Sequence, residues 1–402
     1  MSDKKYKKTV IDRMNEINAD FKAKMFITKQ RALSYEEKKV YASIRVREFH
    51  NRIIGEYNGS CHVSVGGLDS IVLYIFIHYY LGYSDVVGIS VSSLEDKSIQ
   101  QIHKAMDIKR LSSARREDGH LWNKQKIIQE FGFPVGSKEI ASKIEHLQNP
   151  TPNNATIRHA IITGETGEYG GYNKNSRMKL SNRWLELFGG YENENEGTNY
   201  QTPDFKVSSK CCYFLKEKPC DDWAKENNSY PFLGLMASEG GRREKSLKIN
   251  GCNYYGATTV RSAPFAIFTR QDLLKLALEM NNFCEENGLL EKWGLDTIIP
   301  SIYGRIANEG GFLRTTLAQR TGCSMCGFGM DFEKNKRPHR FDRLRERNYK
   351  EWEFWMYRCV TDPKSGEQYG WGKVFDYIGI PWEDEAFDMV NNQMTLFDDM
   401  EV

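Results

Sequence analysis

Along the amino-terminal stretch, Val10, Met14, Ile17 and Phe21 recur every three or four residues among charged positions, the period of an amphipathic helix. Residues 1 to about 55 carry no glycine before Gly55 and predict two or three helices leading into a core. The pattern then changes. Cys61 to Val65 is a short β-type run, Gly66 and Gly67 interrupt it, and Ile71 to Tyr83 is apolar over a helical length. Asp85 to Val91 is rich in β-branched residues and predicts a buried parallel strand, with a helix following over Ser92 to Met106. Strand, helix, strand, helix is the signature of an α/β fold with a doubly wound, mostly parallel sheet. Ligands of such sheets lie at the carboxyl ends of the strands, where the Gly66 turn and Ser92 to Glu95 would fall.

Further on, Gln125 to Phe131 predicts a helix that Gly132-Phe133-Pro134 ends. Gln148 to Gln201 is rich in Asn, Gly, Thr and Tyr and has little apolar periodicity except around Trp184 to Phe188, so it reads as an insertion or a substrate-facing segment. The expected organisation is a helical segment over 1–55, an α/β domain over 56–275 with the insertion at about 148–200, and a helical region over 276–402.

Composition narrows the class of protein. With 402 residues and 40% hydrophobic positions, the chain can bury a sizeable core, which excludes a wholly disordered protein. The net charge of +2 says little about partners, although Lys4 to Lys8, Lys109 to Arg116 and Lys334 to Arg347 are locally basic and suit a solvated helix face, a nucleotide or a nucleic acid. The polar, lysine-rich start is unlike a signal peptide, and the run from Ile71 to Tyr83 is too short to span a bilayer. A cytoplasmic protein without membrane association is therefore expected. In a reducing compartment, clustering among its nine cysteines points to metal or redox chemistry rather than disulfides.

The Gly66-Gly67 turn is the first candidate site. Glycines let backbone N–H groups approach a phosphate, and Asp69 and Ser70 would occupy the first helical turn, where the bland alternative is simple capping. Val65-Gly66-Gly67-Leu68-Asp69-Ser70 resembles the Ser-Gly-Gly-x-Asp-Ser signature of the adenine nucleotide alpha-hydrolase (PP-loop) superfamily, and within it the phosphoadenylyl sulfate (PAPS) reductase-like family. Val65 stands where that family has Ser, with Ser64 one position earlier, and Leu68 replaces the reductase-type Lys. Losing a hydroxyl and an ammonium contact would weaken phosphate binding by about 2–5 kcal/mol.

Three more stretches carry the resemblance. Pro134-Val135-Gly136-Ser137-Lys138-Glu139 is similar to the family's Pro-Val-x-Ser-Lys-Glu, which makes Lys138 a phosphate or sulfate ligand and, with Asp69, a catalytic candidate. Gly234 to Arg243 is similar to Gly-x-x-Ala-x-Glu-Ser-x-x-Arg; its apolar start suggests a strand, Glu239 would hold a ribose or a metal, and Arg242 or Arg243 would pair with phosphate. Arg261 to Asp272 resembles the Arg-Pro … Trp-Thr-x-x-Asp element, giving Arg261 as a ligand and Thr269 as a helix cap. The nucleotide-binding set implied is Ser64, Gly66, Gly67, Asp69, Ser70, Glu95, Lys138, Glu239, Arg242, Arg243 and Arg261.

Cys211-Cys212 and Cys323-Ser324-Met325-Cys326 supply four thiols in two close pairs far apart in the chain. Adjacent cysteines chelate one zinc ion awkwardly but suit the separate irons of a cubane. The set resembles the Cys-Cys … Cys-x-x-Cys ligands of assimilatory adenylyl sulfate reductases, which implies a [4Fe–4S] cluster at Cys211, Cys212, Cys323 and Cys326, with zinc, or no metal and simply buried small residues, as the alternatives. Trp352 and Trp355 among basic residues would form a helical lid over it, stacking on nucleic-acid bases being the other use of such a pattern.

Those reductases also use a carboxy-terminal cysteine in a Glu-Cys-Gly-x-His setting, and after Cys326 this chain has only Cys359, in Tyr357-Arg358-Cys359-Val360. Three functions stay open. One is an iron–sulfur protein acting on ATP, adenylyl sulfate or PAPS, with Mg²⁺, by splitting the α–β bond of ATP, adenylating an acceptor or moving sulfur. Another is true sulfonucleotide reduction. The last is a degenerate PP-loop module that binds or regulates within a nucleoprotein or defence system. The oligomeric state, the acceptor and the sulfur donor are not set by the sequence.

Overall fold

The computed structural model describes residues 10–165, 178–193, 198–319, 321–323, 325–335 and 337–383. It is a mixed α/β structure with a mostly parallel six-stranded sheet. The described residues fall into two compact units, one of 10–114 with 215–323 and the other of 115–214 with 325–383. Helices Val10–Ala32 and Tyr35–Tyr57, expected as a leading segment, belong to the same unit as the sheet.

The sheet strands are β1 (Ser60–Ser64), β2 (Val87–Ser90), β3 (Lys109–Arg110), β4 (Ser229–Phe232), β5 (Asn253–Tyr255) and β6 (Val260–Ser262), in the spatial order β3-β2-β1-β4-β6-β5. All neighbours are parallel except β5 and β6. Cys61, His62 and Val63 are consecutive and all buried, so β1 is covered on both faces, as a central parallel strand must be. His62 is accommodated by a 2.9 Å contact between Nδ1 and the Ser229 hydroxyl and by the edge of Trp223, and its burial pushes the imidazole pKa down to about 4.

From β1 the chain turns through Gly66-Gly67 into helix Leu68–Tyr74, which continues as the π-helical segment Ile75–Tyr80. Its residues from Leu68 to Ile77 are nearly all buried, and it packs against β1 and helix Arg270–Glu286. Helix Arg270–Glu286 starts where expected: the Thr269 hydroxyl accepts from Asp272 N–H, and the Asp272 carboxylate accepts from Thr269 N–H in return. Lys38 holds that carboxylate from helix Tyr35–Tyr57 at 2.8 Å.

Two sequence expectations shift. The helix foreseen over Ser92 to Met106 is a 3₁₀ turn, Ser92–Leu94, followed by helix Lys97–Ala105 with Asp96 as its cap, because the Asp96 carboxylate accepts Ser98 N–H and starts the helix afresh. The strand foreseen at Gly234 is a loop. Strand β4 ends at Phe232, Leu233 N–H makes a last bond to the Ser262 carbonyl, and Gly234 then passes so close to the Asp69 backbone that an added Cβ would lie 3.1 Å from it.

The second unit is mainly helical. Its core gathers Phe133, Phe188, Phe205, Phe341, Trp371 and Phe375, with Phe341 and Phe375 edge to face at 4.7 Å. Within the expected insertion, helices Ala155–Thr163 and Asn182–Phe188 contribute Ile161, Trp184 and Phe188 to this core. Trp352 is buried there too, under the Arg345 guanidinium. Among the described residues, no helix is long and apolar enough to cross a membrane.

Candidate functional site

Loops leaving the carboxyl ends of four parallel strands meet at one edge of the sheet: Val65–Gly67 after β1, Val91–Asp96 after β2, Leu233–Gly240 after β4 and Ala263–Thr269 after β6. Ser64 closes β1, and Asp69 and Ser70 stand in the first turn of the helix that follows. The turn is internally braced. Gly66 N–H donates to the Ser70 hydroxyl at 2.7 Å, which itself donates to the Gly67 carbonyl at 2.9 Å. Leu68 N–H donates to the Tyr303 hydroxyl at 3.1 Å, and Tyr303 is tied to Thr321 at 2.8 Å.

The two glycines differ in what requires them. A Cβ on Gly67 would lie 2.4 Å from the Tyr303 hydroxyl, closer than side-chain atoms approach, so packing against this buried tyrosine already explains the glycine. At Gly66 the nearest atoms to such a Cβ would be Glu95 Oε1 and Ser70 Oγ, both at an ordinary 3.8 Å. Neighbouring side chains therefore place no steric demand for glycine at 66.

Charges at this edge are paired. Arg270 Nη1 donates to Asp69 Oδ1 at 2.7 Å while its Nη2 reaches the Gln319 carbonyl, and Lys216 Nζ donates to Glu95 Oε1 at 2.5 Å. The Glu95 side chain is nearly enclosed, so its attraction to Lys216 is less screened than that of a surface pair, against a larger desolvation cost. Glu239 accepts from Arg243 at 2.8 Å and from Met236 N–H at 3.4 Å. Arg261, half-buried on β6, donates to the Ser246 hydroxyl at 2.7 Å, and burial draws its guanidinium pKa below the ordinary value. The Arg242 side chain lies outside the described residues.

Lys138 belongs to the other unit, where it opens helix Lys138–Gln148 behind the Ser137 cap. That unit also holds Cys211, Cys212 and Cys326, whereas Cys323 ends the sheet-bearing unit. Cys211 is buried and the other three are half-buried. The stretch Phe133 to Gly136 is bridged at one end to Val207 and at the other to Phe328, so the approaches to Cys211 and to Cys326 flank one backbone segment. Met325, between the paired cysteines, has φ 52°, a left-handed conformation uncommon for a side chain of its size. Arg340, salt-bridged to Glu333, donates from Nη1 to the Cys326 carbonyl at 3.4 Å and the Phe328 carbonyl at 3.1 Å, fixing the outgoing backbone. Among the described residues, no group of three or more His, Cys, Asp or Glu stands in an arrangement that would hold a metal.

Cys359 is fully buried, its thiol donates to the Trp355 carbonyl at 3.3 Å, and burial pushes its pKa up to about 12. Such a thiol is protonated at neutral pH and is not a nucleophile.

Sequence reasoning gave no role to Tyr303, Arg270, Lys216 or His103. Arg270 sits inside a quoted motif, one residue past the Thr269 cap, and was open to notice; nothing in their local sequence marks the others. No family model matches the chain, and neither does any curated protein or solved structure.

Proposed function

We propose that the sheet-bearing unit binds the phosphates of an adenine nucleotide at the Gly66 turn, as a PAPS reductase-like protein with an adenine nucleotide alpha-hydrolase-like, doubly wound fold. One observation carries this reading: Gly66 is a glycine at the carboxyl edge of a central parallel strand without a neighbouring side chain that requires it. Close approach of a ligand to the backbone is a use of glycine that such a position serves. Arg270 and Lys216 are two cations of this edge, each held by a carboxylate. A polyphosphate would draw both toward its oxygens, and Asp69 and Glu95 would then be carboxylates suited to Mg²⁺ arriving with the nucleotide. The ion would neutralise charge developing on the phosphates. Splitting of the α–β bond of ATP, adenylation or sulfur transfer is the chemistry that fits; sulfonucleotide reduction lacks support, since Cys359 offers no thiolate.

The iron–sulfur reading rests on the cysteine pattern and on the flanking of Phe133 to Gly136 by Val207 and Phe328. Anaerobic purification with iron and sulfide analysis tests it: a brown protein that loses its colour with Cys323→Ala supports the cluster, and a colourless, iron-free chain removes it.

A second reading is favoured by the bracing of the turn. Gly66 N–H and Leu68 N–H, which a phosphate would use, already have the Ser70 and Tyr303 hydroxyls as acceptors. That suits a module that keeps the fold without the chemistry. Calorimetry of the full chain with ATP, adenylyl sulfate and PAPS separates the two. Binding of ATP, with AMP and pyrophosphate release reduced about 100-fold by Asp69→Asn, supports the enzyme; no heat with any of the three nucleotides leaves the module.

A further inference from the structure

His103 lies on helix Lys97–Ala105, almost wholly buried, and both of its ring nitrogens are engaged. Nε2 is 2.9 Å from the Gly66 carbonyl oxygen and Nδ1 is 3.0 Å from the Ser92 hydroxyl. A carbonyl only accepts, so Nε2 carries the proton. Burial favours the neutral ring, and Nδ1 then accepts from Ser92. The tautomer is set by the Gly66 carbonyl, Ser92 answers it as the donor to Nδ1 and fixes the ring's orientation, and the ring holds one end of the Gly66–Gly67 peptide.

A trans peptide is planar, with its C=O and N–H pointing in opposite directions. A carbonyl of Gly66 fixed toward His103 therefore fixes the Gly67 N–H away from it. Without that anchor, a Gly-Gly peptide rotates at little steric cost. We propose that His103, oriented by Ser92, is a positioning residue that presets the Gly66–Gly67 peptide for phosphate binding, an inference that rests on the nucleotide-binding reading above. Glu95, on the loop between Ser92 and the helix carrying His103, is paired with Lys216.

The test compares the wild-type chain with His103→Phe, which keeps a ring and removes both bonds, and His103→Gln, whose carboxamide N–H restores a donor. ATP affinity is read by calorimetry, and the carbonyl–amide correlation of Gly66–Gly67 by NMR on glycine-labelled protein, where only Gly-Gly pairs give signals. His103→Phe is expected to weaken ATP binding about 10-fold while still melting cooperatively. His103→Gln should recover most of that loss, which a merely structural role for the ring would not give. A folded His103→Phe chain binding ATP like the wild type overturns the inference. If the wild-type chain binds no ATP, the proposed function fails instead, and the NMR signal still decides whether His103 sets the peptide: an unchanged Gly66–Gly67 correlation in His103→Phe overturns that too.

Discussion

The turn at Gly66 and the turn at Cys326 are both short glycine-containing segments, yet they are built in opposite ways. The first is local: β1, the two glycines and helix Leu68–Tyr74 are contiguous, and the brace from Ser70 lies within the same few residues. The second is assembled from distant pieces, with Phe328 bridged to Gly136, Gly327 packed on Trp371, and Arg340 holding two carbonyls. A glycine therefore means different things in the two places. At 327 it makes room for the protein's own core, and at 66 it leaves space that a side chain could occupy.

The largest effect expected from this contrast is at Gly327. A Cβ there would lie 2.1 Å from the Trp371 ring and 2.8 Å from the Pro134 carbonyl, and Trp371 is fully buried among Phe133, Phe341 and Phe375. Neither neighbour can yield, so Gly327→Ala should cost about 3 kcal/mol or more through overpacking. Urea denaturation measures it, and an unchanged midpoint would show that this turn is not packed as described.

Acid sharpens the comparison next, through His62. In the folded chain its pKa is about 4 against 6.5 for an ordinary histidine, because burial disfavours the charged ring. The unfolded chain thus binds a proton first as pH falls, so the stability His62 allows is complete above pH 6.5 and is lost between 6.5 and about 4. The loss amounts to about 3 kcal/mol over that window. In the other unit, buried His339 lies 3.2 Å from the Asp342 carboxylate, which opposes the effect of burial. Unfolding free energies from pH 7 to pH 4 should therefore fall less steeply in His62→Gln than in the wild type. Parallel curves would refute the assignment.

What could be read in advance follows the same divide. Strand β1, the turn, its helix and the Thr269 cap carry local signals, a β-type run, two glycines, an apolar helical stretch and a capping threonine, and they form where those signals stand. The helix start at Asp96 and the loop at Gly234 were missed because each is settled by a competing contact, a carboxylate cap in one case and the Asp69 backbone in the other. Tyr303, Lys216 and His103 reach the edge from segments remote in sequence, and no residue pattern announces a contact made only by the fold. The split of the cysteines between two units has the same origin.

The smallest change in stability, and the most informative about function, comes from substituting the adjacent glycines one at a time. Gly67→Ala meets the Tyr303 hydroxyl at 2.4 Å, and that tyrosine is itself held by Thr321, so the turn or the tyrosine must shift at a cost of about 1–3 kcal/mol. Gly66→Ala meets nothing closer than 3.8 Å, and its stability should stay within about 0.5 kcal/mol of the wild type. If phosphate approaches the backbone at Gly66, the same methyl group stands in its path, and ATP affinity should fall about 10-fold or more while the fold is untouched. Thermal melts and calorimetry on the two variants read both quantities side by side. A Gly66→Ala chain that melts like the wild type and also binds ATP like it would mean that the open space at 66 serves no ligand.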